Sequence, residues 1–166
     1  MVKSIRYIGF FLLLFLFLTN CKKPQVYPDT PQINFTKFLL KDTIDILDNP
    51  IKQGTLVFSF IDGDGDIGLH PYDTTAPYDS IYFYNLYLTL YSKENGKFEK
   101  VDLPFPLRYR IPYVAKEGQN KTLKGSTEVK LIYNYPLQYD TIYYTFYIYD
   151  RALHKSNIAT SDTIIF

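Results

Sequence analysis

The segment Phe60-Ile61-Asp62-Gly63-Asp64-Gly65-Asp66-Ile67-Gly68 sets three carboxylates within five residues, spaced by two glycines and with no Lys or Arg beside them. Like charges this close repel unless something positive compensates. A hard cation does so directly, and glycine lets the backbone curl until side chains and carbonyls face one point. Ca²⁺ takes roughly six to eight oxygen ligands, so the loop could furnish about half of a coordination shell. A metal-free reading also stands: Asp-Gly pairs are frequent turn formers, and solvated aspartates need no counter-ion.

A second source of oxygen follows from topology. The runs Thr55–Ile61 and Thr141–Tyr149 read as the second and sixth strands, B and F, of an immunoglobulin-like sandwich, and the loops after them then share one end. The later loop is Asp150-Arg151-Ala152-Leu153-His154-Lys155-Ser156-Asn157. The candidate ligands for Ca²⁺ are therefore Asp62, Asp64, Asp66, Asp150 and Asn157. Arg151 offers the competing account, an ion pair with one of the loop aspartates. The loop partly resembles an EF-hand, with Asp73 at the closing acidic position. Ile67 stands where that motif requires glycine, and strands flank the loop, so an EF-hand is not expected.

Catalytic chemistry finds little to work with. The two histidines, His70 and His154, are far apart in sequence, and there is no Ser-nucleophile motif and no phosphate-binding glycine loop. A small sandwich also lacks the cleft that paired carboxylates need for glycoside hydrolysis. The chain is expected not to be an enzyme; a metal-dependent hydrolase at the acidic loop is the least favoured alternative.

The elements that must position these residues are strands. With 17 Tyr, 13 Phe and no Trp, the chain is rich in side chains that suit a pleated surface. Strand signals fall at Ile33–Leu39, Thr55–Ile61, Ile81–Tyr91, Lys97–Leu103, Arg108–Tyr113, Gly125–Tyr133, Thr141–Tyr149 and Ile158–Phe166. Residues 41–54 read as a long connection, and Glu94-Asn95-Gly96 as a hairpin turn. Alternation puts Leu56, Phe58 and Phe60 on one face, Leu86, Leu88 and Leu90 on another, and Ile142, Tyr144, Phe146 and Ile148 on a third. The expected fold is all-β: an immunoglobulin-like antiparallel β-sandwich of seven to eight strands over residues 32–166.

Asp140-Thr141-Ile142-Tyr143-Tyr144 resembles a tyrosine corner, which implies that Tyr144 points inward and bonds a nearby backbone group. The opposite phase leaves Tyr87, Tyr91, Tyr143, Tyr147 and Tyr149 outward on neighbouring strands. Such a patch could stack on a glycan or anchor a protein partner; cross-strand pairing that stabilises the sheet is the favoured alternative.

The start of the chain addresses location. Lys3 and Arg6 precede an apolar run from Ile8 to Leu18, long enough for a signal-peptide core and too short to span a bilayer. Leu18-Thr19-Asn20-Cys21 follows and resembles a lipobox, with Asn20 in place of the usual Gly or Ala. The expectation is a signal peptide at 1–20, a lipid-carrying Cys21 and a proline-containing tether at 21–31. Cys21 is the only cysteine, so disulfides play no part. Lipid at that position ties the chain to a membrane without a spanning helix. No Asp follows Cys21, which favours the bacterial outer membrane, on either its periplasmic or its surface side. Beyond the leader 16 basic residues face 17 acidic ones, a balance that excludes a nucleic-acid partner.

Taken together, the lipobox, the tether, the Asp-Gly-Asp-Gly-Asp-Ile-Gly loop and the Asp-Arg-Ala-Leu-His-Lys-Ser-Asn run resemble a group of Bacteroidota cell-envelope lipoproteins. The resemblance implies an immunoglobulin-like domain at the envelope and carries no activity or ligand with it.

Overall fold

A computed structural model describes residues 25–115 and 121–166. The leader and Cys21 lie outside the described residues. Two antiparallel sheets face each other. The first runs β1 (Gln32–Ile44), β2 (Pro50–Asp62), β6 (Leu123–Asn134). The second centres on β3 (Leu86–Glu94) and β7 (Thr141–Ile148). There β4 (Lys97–Lys100) and β5 (Leu107–Tyr109) pair with β3, and β8 (Ala159–Thr160) and β9 (Ile164–Ile165) pair with β7. The arrangement is an immunoglobulin-like β-sandwich in which β2 and β7 take the places of strands B and F.

The inner faces are those the alternation picks out. Leu56 and Phe58 on β2 and Ile142, Phe146 and Ile148 on β7 are wholly buried, and Leu86, Leu88 and Leu90 line β3. Phe58 meets Phe146 across the layers with ring centroids 5.0 Å apart. Each such side chain, fully buried, contributes about 1.5–3 kcal/mol relative to exposure. Tyr144 points inward as expected, but its hydroxyl meets the hydroxyl of Tyr133 on β6 at 2.9 Å, so it bonds a side chain across the core instead of the backbone. Burial pushes the Tyr144 hydroxyl up to about 12 and the Tyr133 hydroxyl up as well.

Several expected boundaries shift. Residues 41–54 are not a long connection: β1 and β2 continue as a paired ribbon to Ile44 and Pro50. A tight turn closes it, with the Asp45 carboxylate accepting from the Leu47 and Asn49 amides at 2.8 and 2.9 Å. The ribbon has little apolar alternation because it reaches beyond the core, with Ile46 and Leu47 in solvent. The Ile81 strand begins only at Leu86, after a short 3-10 turn at Ile81–Phe83. The final strand is split into β8 and β9 where Ser161 bonds Tyr144 through both its amide and its hydroxyl. At Asn95-Gly96, φ angles of 51° and 82° form the expected hairpin turn.

The tether does not hang free along its whole length. The backbone at Tyr27 and Pro28 packs on Gly63, and the Tyr27 ring lies under the Lys124 ammonium, 3.9 Å from its centroid. No helix among the described residues is long and apolar enough to cross a membrane.

Candidate metal centre

Strand phase explains why two aspartates go inside. On β2 the inward series Leu56, Phe58, Phe60 continues to Asp62, and beyond β7 the series Ile142, Tyr144, Phe146, Ile148 continues to Asp150. Both strands run toward the same end of the sandwich, so Asp62 and Asp150 cap the core beside each other, 0 and 1 % exposed. Gly65, at φ 64°, then turns the loop back, which a side chain would resist. That turn returns Asp66 to the same place. Carboxylate oxygens of Asp62, Asp66 and Asp150 all lie within 4.8 Å of one another.

The site is partly pre-formed by backbone donors. The Asp66 amide donates to Asp62 Oδ2 at 2.8 Å, and the Ala152 amide to Asp66 Oδ2 at 3.0 Å. The His154 amide donates to Asp150 Oδ1 at 2.7 Å, and His154 Nδ1 lies 3.0 Å from Asp150 Oδ2. Asp62 Oδ1 is buried and has no hydrogen-bond partner among the described residues. Burial, reinforced by the charges of Asp64, Asp66 and Asp150, raises the Asp62 pKa to about 7 against the opposing bond from Asp66. Burial likewise lifts Asp150 to about 6, and the Asp150 charge raises His154 in turn.

A buried carboxylate oxygen with no donor, facing two further carboxylates, calls for a proton or a cation. The all-oxygen set suits a hard divalent ion, and the loops after β2 and β7, one from each sheet, meet at one end as the strand order leads one to expect. Compared with known protein families, curated proteins and solved structures, the chain matches none. The reading therefore rests on geometry.

The other candidate residues are placed as follows. Asp64 lies beside the three-carboxylate group and outside it; its charge is felt at both Asp62 and His154. Asn157 is a correction to the ligand set. Its carbonyl oxygen accepts from the Ile33 amide at 2.8 Å and its amino group donates to the Ile33 carbonyl at 2.9 Å, so the side chain clasps β1 as a strand neighbour would. The Arg151 guanidinium makes its ion pair with Asp73, and the charge of Asp66 is felt there as a smaller contribution, so the pair offered as a metal-free account forms with a different aspartate from those expected. Asp73 also accepts from the His70 amide and is no ligand of the EF-hand type.

His70 is stacked on Tyr72 and tilted against Tyr113, with centroids 4.7 and 3.9 Å away. Arg110, which the sequence did not single out, holds the 70–84 loop by donating to the carbonyls of Phe83, His70 and Asp73 at 2.7, 2.7 and 2.8 Å. An arginine next to a strand end carries no spacing signal for that work.

The tyrosines do share one face. Tyr87 stacks on Tyr147 and Tyr91 on Tyr143, with interplanar angles of 8° and 2° and centroids 5.2 and 4.6 Å apart. Tyr149 meets Tyr87 and Tyr147 edge-on, and Lys155 covers Tyr147 at 3.8 Å. The rings thus pair across the strands, with a lysine over Tyr147, which is the cross-strand pairing of a stable sheet, and they stay partly exposed.

Proposed function

We propose that the chain is a lipid-anchored, non-catalytic binding or accessory module of the bacterial cell envelope, one pole of which is tied together by Ca²⁺. The observation that carries the metal is Asp62: wholly buried, one oxygen without a donor, facing Asp66 and Asp150. Three carboxylates from two loops give an ion the role of a clamp between strand ends, and backbone carbonyls and water complete a shell of this kind. The anchor is Cys21, after a leader of signal-peptide length, and the outer membrane is the address its following residues favour.

The same constellation supports a structural ion better than a catalytic one. His154, the nearest titratable partner, is engaged with Asp150 and positions that carboxylate. A partner at the Tyr87–Tyr147 and Tyr91–Tyr143 face, glycan or protein, is the second reading: these rings stay partly exposed beside one another.

Thermal melting of the mature chain in EDTA and in Ca²⁺ tests the metal. At a free ion concentration near one hundred times Kd, linkage gives about 2.7 kcal/mol, a rise on the order of 10 °C for a domain of this size. Asp62→Asn should remove most of that rise. An identical melting temperature in EDTA and Ca²⁺ would overturn the metal reading. Incorporation of labelled palmitate, abolished by Cys21→Ser, tests the anchor separately.

A further inference from the structure

We infer that the ion held by Asp62, Asp66 and Asp150 also latches the N-terminal segment Tyr27–Ile33 onto the sandwich, so that Ca²⁺ sets how far the domain stands from its anchor. This rests on the metal reading above and extends it to a regulatory role. Each of the two loops that meet at the carboxylates holds this segment by its own bond. From the first loop, the Gly63 amide donates to the Pro28 carbonyl at 2.8 Å, directly after the ligand Asp62. The approach is so close that a Cβ on Gly63 would lie 2.3 Å from the Tyr27 carbonyl oxygen and 2.5 Å from that of Pro28. From the second loop, which opens at Asp150, Asn157 grips Ile33 through both ends of its amide. Lys124 adds a contact to the Tyr27 ring and hydroxyl.

Between the loops themselves, the Arg151 amide reaches the Asp66 carbonyl at 3.3 Å and the Ala152 amide reaches its carboxylate at 3.0 Å. Those bonds oppose the mutual repulsion of three carboxylates within 4.8 Å. A divalent cation converts that repulsion into attraction to a common point. Without it the loops relax apart, and Gly63 and Asn157 can no longer both meet the same short segment. The consequence is one of reach. From Cys21 to the docked Tyr27 the chain extends at most about 20 Å; freed as far as Gln32, it extends at most about 38 Å. Ca²⁺ therefore holds the acidic pole close to the membrane, and its loss nearly doubles the allowed height.

The test uses the acylated chain in phosphatidylcholine vesicles with a spin label at Val26→Cys, a position 88 % exposed. Cys21, the only other thiol, carries the lipid. Ca²⁺ should give an immobilised spectrum and EDTA a mobile one, with calorimetry recording Ca²⁺ binding on the same sample. Gly63→Ala keeps every carboxylate and should still bind Ca²⁺, yet leave the label mobile. Calorimetric binding with a label equally mobile in Ca²⁺ and EDTA would overturn the latch and leave the metal site standing. Absence of binding would overturn both. A label that stays immobile in Gly63→Ala would overturn the contact assigned to Pro28.

Discussion

With no cation bound, Asp62 and Asp150 must each carry either a proton or a buried charge. Burial moves their pKa values to about 7 and about 6, whereas in the unfolded chain both titrate near 3.8. Between those limits the folded chain holds protons that the unfolded chain has already released, so folding stability falls as pH rises through that window. His154, whose pKa the Asp150 charge raises, works in the same direction. In EDTA, melting temperature should therefore decline from pH 5 to pH 7.5, while the gain from saturating Ca²⁺ should grow over the same range as protons leave the ligands. An EDTA melting temperature that climbs across this range would contradict the assignment. At this scale the sequence displays the aspartates but not their ranking. Asp62, Asp64 and Asp66 look equivalent as a string; only the phase of β2 makes Asp62 the buried one.

At the scale of elements, two asparagines do the work of missing strand neighbours. Asn157 clasps Ile33, and buried Asn85 accepts from the Ile111 amide at 2.6 Å and donates to its carbonyl at 3.3 Å. Alanine at 157 takes the side-chain partner from both the amide and the carbonyl of Ile33, and alanine at 85 takes it from the Ile111 amide, while the Ile111 carbonyl keeps the Leu69 amide at 2.9 Å; each variant should lose about 1–3 kcal/mol in urea unfolding. A loss within 0.5 kcal/mol or so for Asn85→Ala, as an ordinary surface change gives, would show that water replaces the amide. These clasps explain why strand boundaries were hard to read. The Ile81 run carries strand-forming residues from its start, yet pairing begins only after Asn85 has turned to Ile111. The ribbon at 41–54 failed as a prediction for the opposite reason. From 41 to 50 the side chains are mostly exposed, and the pairing there is backbone to backbone, with inward burial resuming only at Ile51 and Gly54.

For the whole molecule, both sheets contribute to one core, and the candidate metal centre sits on its end instead of in a separate lobe. Removing Ca²⁺ should accordingly lower the midpoint of a single unfolding transition, with far-UV circular dichroism and tyrosine fluorescence remaining coincident. Two separated transitions would mean that the acidic pole unfolds by itself. The sequence alone determined the all-β class and the inward faces of β2, β3 and β7. It also pointed to the loop end where carboxylates gather. It could do so because period-two alternation is a local property, and because the order of strands B and F fixes which loops share an end. The tertiary structure decided which oxygens converge, that Arg151 goes to Asp73, that Asn157 serves β1, and that the tyrosines face one another. It also decided that Tyr27 and Pro28 seat on Gly63. Each of these is a contact between residues distant in the chain, set by how the two sheets stack, and no local spacing encodes it.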